Sequence, residues 1–246
     1  IIPSLIIKNE ELIHRSNFDE STERYVGDPI NAINIFNNYL TDEIIILDIE
    51  AYSKNEISYD LLKNLSSEAF TPLSYGGGIK TIDQAERIIN LGFEKIILNT
   101  SCFENFNLIF DCQKNLGAQS VVIAIDIYRE KNDYFIYDHL RKRIRDENIK
   151  NFLKKISSIE IGEILLTSVN FDGLMSGCDI ELINSFQNFI NVPLIYRGGL
   201  SSLENIKQVF NTKVNAITSS SFFIMKKKGG GIVLNYPTRE DKEKIC

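Results

Sequence analysis

Eight short runs of branched aliphatic residues constrain this chain more than any other feature. They fall at 1–7, 44–49, 71–75, 95–99, 120–126, 162–168, 192–196 and 214–218. Apolar and β-branched, they read as buried strands. Between most of them lie segments with helical periodicity, such as INAINIFNNYL, TIDQAERIINLG and SLENIKQVF. Strands alternating with helices build parallel βαβ units. Eight such units within 246 residues predict an α/β chain folded as a closed (β/α)8 TIM barrel.

An internal repeat refines the expectation. Ile6 and Asp126 lie 120 apart, and IILDIEAYS, with Asp48, precedes LLTSVNFDG, with Ser168, by the same distance. YGGGIKT matches RGGLSSLE with Gly76 and Gly198 separated by 122, and ILNTSCF matches ITSSSFF with Asn99 and Ser219 separated by 120. Two (βα)4 halves follow, at about 1–118 and 119–228, with a tail at 229–246. The halves must share one sheet to close it, so residues 1–246 are expected to form a single domain.

Composition excludes several functions. A net charge of −6 argues against a general nucleic-acid binder. No basic segment followed by an apolar stretch opens the chain, and no apolar run approaches the ~18 residues of a membrane helix. A cytoplasmic protein with neither membrane nor nucleic-acid partners is expected. Cys102, Cys112, Cys178 and Cys246 are scattered and read as free thiols. With two histidines and no CxxC pair, no zinc site is expected.

In this fold chemistry sits at the carboxyl ends of the strands. Gly76, Gly77 and Gly78 end the third strand, and Asn99 and Thr100 end the fourth. Glycines let backbone N–H groups approach an anion, and helix N-termini favour negative charge. The second half repeats the pattern with Gly198, Gly199, Ser219, Ser220 and Ser221. One glycine pair alone merely turns a loop. Two, each followed by a hydroxyl- or amide-bearing strand end, predict two phosphate sites and a ligand phosphorylated at both ends. Asp126 lies near the carboxyl end of strand five, whereas Ile6 takes the matching place in strand one.

Charges mark the opposite end. Glu43, Lys95 and Glu163 lie at the amino ends of strands two, four and six, each four residues before Leu47, Asn99 and Thr167. Side chains alternate along a strand, so each pair shares a face. With Asn99 and Thr167 facing the pocket, the three charges face inward at the floor, where opposite signs allow a Glu–Lys–Glu ring. The residues alone allow a structural plug as readily as a gate.

The stretches IIPSLIIK, YGGGIKT, KIILNTS, SVVIAIDIYR, GEILLTSVNFDG and RGGLSSLEN resemble, in order and spacing over residues 1 to about 225, the cyclase subunit of imidazole glycerol phosphate synthase. That resemblance implies a half-barrel duplication and a glutaminase subunit at the amino-terminal face. Ammonia then crosses the barrel to a bisphosphorylated substrate between two aspartates acting as acid and base, with no cofactor. Asp126 matches one aspartate; the other falls on Ile6. The family's KDG reads Lys8-Asn9-Glu10 here, and a phosphate-associated lysine falls on His14. Arg197 stands where the family has a small residue, and Asp172 matches a substrate-contacting aspartate. Lys8, Thr167, Asp172 and Arg197 are thus expected in the substrate pocket, and Glu43, Lys95 and Glu163 match the ammonia gate. Glu10 and Glu11 are expected on a mobile loop, poorly placed to replace the missing acid.

Loss of the strand-one aspartate resembles a divergent branch of the family associated with sugar amidation in surface-polysaccharide and nonulosonate biosynthesis. That branch implies a sugar amidotransferase as a further partner and a barrel relieved of cyclase chemistry. The alternatives are a genuine lyase of histidine biosynthesis and a ligand-binding activator that passes no ammonia. Elsewhere, RKRIR at 141–145 reads as a solvated basic loop or a second phosphate holder, and KKKGGG at 226–231 as a flexible tip near the second phosphate site. His139 reads as a surface residue, and the charged tail TREDKEKIC as frayed.

Overall fold

Residues 1–245 are described by a computed structural model; Cys246 lies outside the described residues. In chain order the strands are β1 (Ile2–Lys8), β2 (Glu11–Ser16), β3 (Asp19–Gly27), β4 (Ile44–Asp48), β5 (Leu73–Gly76) and β6 (Lys95–Leu98). They continue with β7 (Val121–Glu130), β8 (Asp133–Asp138), β9 (Arg143–Ile144), β10 (Glu163–Ser168), β11 (Leu194–Arg197) and β12 (Ala216–Ser219). Eight of them pair in parallel in the order β1, β4, β5, β6, β7, β10, β11, β12, and β12 closes on β1. Helices lie between the strands. The result is a closed (β/α)8 barrel, as the sequence predicts.

Alternation along each strand divides the core in two. Leu5, Ile7, Ile44, Ile46, Tyr75 and Tyr196 point outward and pack under the helices with residues such as Ile33, Phe36 and Val209. Ile2, Ile45, Ile97, Val122, Ala124, Leu165 and Ile195 point inward and fill the barrel. Burial on both faces is why these strands read as continuous apolar runs. Helix starts are fixed by side-chain caps. Thr81 forms a capping box with Gln84 after the first glycine turn, and Ser202 accepts from the Asn205 backbone N–H after the second.

Strand pairing also corrects the repeat. Tyr75 and Tyr196 are both fully buried and outward, in LSYGGG and LIYRGG respectively. Backbone dihedrals agree: φ is 145° at Gly77 and 132° at Gly198, then 69° at Gly78 and 76° at Gly199. The glycine turns therefore superpose as Gly77 with Gly198 and Gly78 with Gly199, one residue away from the sequence match of Gly76 with Gly198. Arg197 stands in the place of Gly76.

Two further expectations are overturned. Glu10 and Glu11 do not lie on a mobile loop: Asn9 and Glu10, at φ 50° and 64°, form a tight turn into β2, and Lys8 pairs with Glu11. β2 and β3 then make a hairpin folded against the barrel, and the backbone N–H of Asn17 donates to the carbonyl of Asp172 at 2.8 Å. The tail is not frayed either. A short helix, Arg239–Glu243, starts at a Thr238 capping box, Ile245 is buried, and the Tyr236 hydroxyl donates to the Ile1 carbonyl at 2.7 Å. The RKRIR segment is exposed along Arg141, Lys142 and Arg143, as a solvated basic loop would be, while Arg141 and Arg145 meet Asp138 at 2.9 and 2.8 Å and Lys142 meets Glu20 at 2.9 Å. Among the described residues no helix is long and apolar enough to cross a membrane.

Candidate functional site

The carboxyl ends of the barrel strands surround a cavity of about 340 Å³. Inward positions supply its floor and walls: Ile6 and Lys8 from β1, Asp126 from β7, Thr167 from β10 and Arg197 from β11, with Asp172 beyond β10. Gly77, Gly78, Asn99 and Thr100 line the same cavity; Gly198, Gly199, Ser219 and Ser220 do not. All four of the latter are buried.

Asp126 is 5% exposed and faces Thr167 across the β7–β10 pairing. Its Oδ2 accepts from Asn99 Nδ2 at 2.7 Å and lies 3.4 Å from His139 Nδ1. The surface placement expected for His139 is thus wrong; it lines the cavity. Asp138 explains the position. Its buried carboxylate accepts from the backbone N–H groups of Leu140 and Arg141 and pairs with two arginines, which fixes the turn holding His139 over the mouth. Burial works against the Asp138 charge, but the N–H bond from Arg141 and the two guanidinium groups hold its carboxyl below the ordinary range. The sequence signal was the β7–β8 hairpin itself, which folds back toward the strand-five carboxylate.

Ile6 is buried at the level of Leu47, its partner across the β1–β4 pairing. No carboxylate replaces it on β1. Lys8 lines the cavity with its Nζ 2.8 and 3.0 Å from the two oxygens of Glu23, which Arg15 shares. Arg197 Nε and Nη2 donate to Asp172 Oδ1 and Oδ2, both at 3.1 Å. Full burial pushes the Asp172 carboxyl up, and Arg197 opposes that shift. We assign the pair as ionised, because a guanidinium keeps its proton and both carboxylate oxygens accept from it. His14 is buried and its Nε2 lies 2.9 Å from Ser221 Oγ. Cys102, Cys112 and Cys178 are free thiols away from the cavity.

At the opposite end Lys95 Nζ lies 2.8 Å from Glu43 Oε2, and 3.0 and 3.1 Å from the Glu163 oxygens. Ser74 Oγ donates to the other Glu43 oxygen. The ring side chains are 13–21% exposed, so they face water on one side. Above them the inward Ile45, Ile97, Val122 and Leu165 separate ring from cavity. Burial opposes the Lys95 charge, but its bonds to Glu43 and Glu163 win, and it titrates above the ordinary lysine range.

A parallel barrel with a carboxylate in its mouth and a charged ring across its floor defines the class: a (β/α)8 barrel with its working cavity at the strand ends. Residues 1–228 match the histidine biosynthesis protein family. A Leptospira interrogans protein, provisionally named imidazole glycerol phosphate synthase subunit HisF, is 38% identical over 252 residues, covering 100% of this chain and 97% of the relative. A Campylobacter jejuni protein with a provisional name of the same kind, subunit hisF2, is 34% identical, covering 100% and 94%. The Streptococcus mutans imidazole glycerol phosphate synthase subunit HisF is 32% identical, covering 91% and 89%. The chain belongs to the histidine biosynthesis protein family, among its HisF-like cyclase subunits.

Proposed function

We propose that this barrel conducts ammonia from a glutaminase docked at its amino-terminal face to the cavity, for amidation of a sugar precursor in the cytoplasm. A sugar amidotransferase completes the system, and a phosphorylated small molecule is held near Gly77, Gly78, Asn99 and Thr100. One observation carries this reading: Glu43, Lys95 and Glu163 are paired with one another at the floor beneath an apolar interior, while Ile6 deprives Asp126 of a carboxylate partner. A machine for proton transfer has been reduced; a passage has not.

On this reading the ring excludes water at rest, and a small neutral molecule passes when Lys95 swings aside and the apolar side chains above it give way. Lys95→Met should uncouple the system. Glutamine is still hydrolysed, little of its nitrogen reaches the acceptor, and added ammonium salt restores product. The measurement is the ratio of glutamate released to amidated product with and without ammonium; an unchanged ratio in the variant removes the conduit.

A second reading is favoured by the contact between His139 and Asp126. In it the chain is a genuine imidazole glycerol phosphate synthase lyase, with Asp126 and His139 as the acid–base pair. General acid–base assistance supplies about 10²- to 10⁴-fold in rate. The conduit reading expects negligible turnover of the histidine-pathway substrate with free ammonia, and a trace gained by Ile6→Asp. Ready wild-type turnover, lost by that order in His139→Gln, would select the lyase.

A further inference from the structure

The two glycine turns share one backbone and differ in what stands before them. In the first half the inward place is Gly76, where a β-carbon would meet Ile97 Cβ at 3.0 Å and Leu47 Cδ2 at 3.1 Å. In the second half that place is Arg197, which pairs across the sheet with Thr167 on one side and Thr218 on the other. Its guanidinium, 4% exposed with its residue, is held in a two-point fork by Asp172. A fork of this kind already satisfies the cation with an anion.

The chain covers the rest of the second turn itself. The Gly177 backbone N–H donates to the Gly199 carbonyl at 2.9 Å, and the Gly177 carbonyl lies 1.9 Å from where a β-carbon on Gly199 would be. Ser219 Oγ accepts from the Phe222 N–H, and Ser221 Oγ is bonded to His14.

We propose that Arg197, with Asp172 as its internal counter-anion, closes the carboxyl-terminal half of the barrel to phosphate, so that the cavity takes ligands bearing at most one phosphate. This rests on the phosphorylated-ligand reading for the first half, but closure is measured in the second half alone. A bisphosphorylated ligand would have to displace a buried carboxylate from a two-point partner before its second phosphate found a cation.

The test follows backbone amides of the full chain by NMR during titration with inorganic phosphate, against chloride at equal ionic strength. In the wild type, Gly198, Gly199 and Ser220 should not move, whereas Gly77, Gly78 and Thr100 shift saturably. Arg197→Gly reproduces the first half. Because it leaves Asp172 buried and unpaired, Arg197→Gly with Asp172→Asn is the decisive variant. In it the second set of amides should shift with an affinity about 10- to 100-fold above wild type, the range for one or two charge-assisted bonds. Saturable shifts at Gly198 and Gly199 in the wild type would overturn the proposal. So would a folded double variant whose second half stays silent. A wild type silent in both halves, with the second half opened in the double variant, would uphold closure and remove the first-half phosphate reading.

Discussion

At the mouth the two halves of the barrel carry the same fold of backbone and opposite treatments of it. Gly76, Gly77 and Gly78 put the first turn on the cavity wall, where Gly77 and Asn99 keep partial contact with water. Arg197, Gly198 and Gly199 occupy the equivalent places, and the second turn lies beneath the peptide of Gly177. At the floor each half contributes a glutamate, and the first half alone supplies the lysine. Glu43 and Glu163 are 120 residues apart and grip the same lysine. The two turns share their backbone dihedrals, and on the proposed reading one inward side chain, Arg197 in place of Gly76, decides whether such a turn takes an anion.

Exchanging glycines tests this difference hardest. Alanine at positive φ costs about 1–2 kcal/mol, and overpacking against backbone a further 1–3. At Gly199 the new β-carbon meets a carbonyl at 1.9 Å, at Gly78 it meets Ala51 at 2.9 Å. Gly199→Ala should therefore lose about 3 kcal/mol or more, and Gly78→Ala distinctly less. Phosphate binding should show the reverse order, lost in Gly78→Ala and unchanged in any folded Gly199→Ala protein. Urea midpoints and phosphate titration of both variants measure this. Equal stability losses would mean the cover over Gly199 yields easily, and the contrast between the halves would weaken.

What sequence could reveal follows the same physics. Barrel strands were legible because burial on both faces leaves uninterrupted aliphatic runs. β3, DESTERYVG, has no buried residue and no apolar alternation, so the hairpin that reaches Asp172 left no signal. The floor ring was legible because inward positions recur every second residue. The mouth was not, because GGG against RGG can be matched in two registers and outward-facing tyrosines decide between them. His139 escaped for a different reason. Its place depends on how Asp138 is satisfied by Arg141 and Arg145, and paired burial of that kind is invisible in a charge-rich segment.

The floor offers a test of likeness. Glu43→Gln and Glu163→Gln each leave Lys95 with one carboxylate, and each should cost about 1 kcal/mol in this half-hydrated setting. The two losses should agree within about 0.5 kcal/mol. Changing both strands the cation, and should cost more than the sum of the two, as sites sharing one partner are not additive. Urea denaturation of the three variants reads this directly. A large inequality would show that Ser74, which bonds only Glu43, matters more than the repeat.

The smallest effect belongs to His14, which reaches the closed half through Ser221. Burial pushes its imidazole down; the nearby Gly173 backbone opposes this, while Arg24 and Arg197 reinforce it. Arg24 faces it across the β2–β3 pairing, and Ser221 meets its Nε2. The folded protein therefore resists a proton that the unfolded chain takes up near pH ~6.5. Stability from neutral His14 is fully present above that value and is lost as pH falls through the lower folded pKa. Between about pH 7.5 and 5.5 the urea midpoint should fall in the wild type, and this part of the slope should be absent in His14→Gln. An unchanged slope in His14→Gln would show that a neutral His14 does not contribute it.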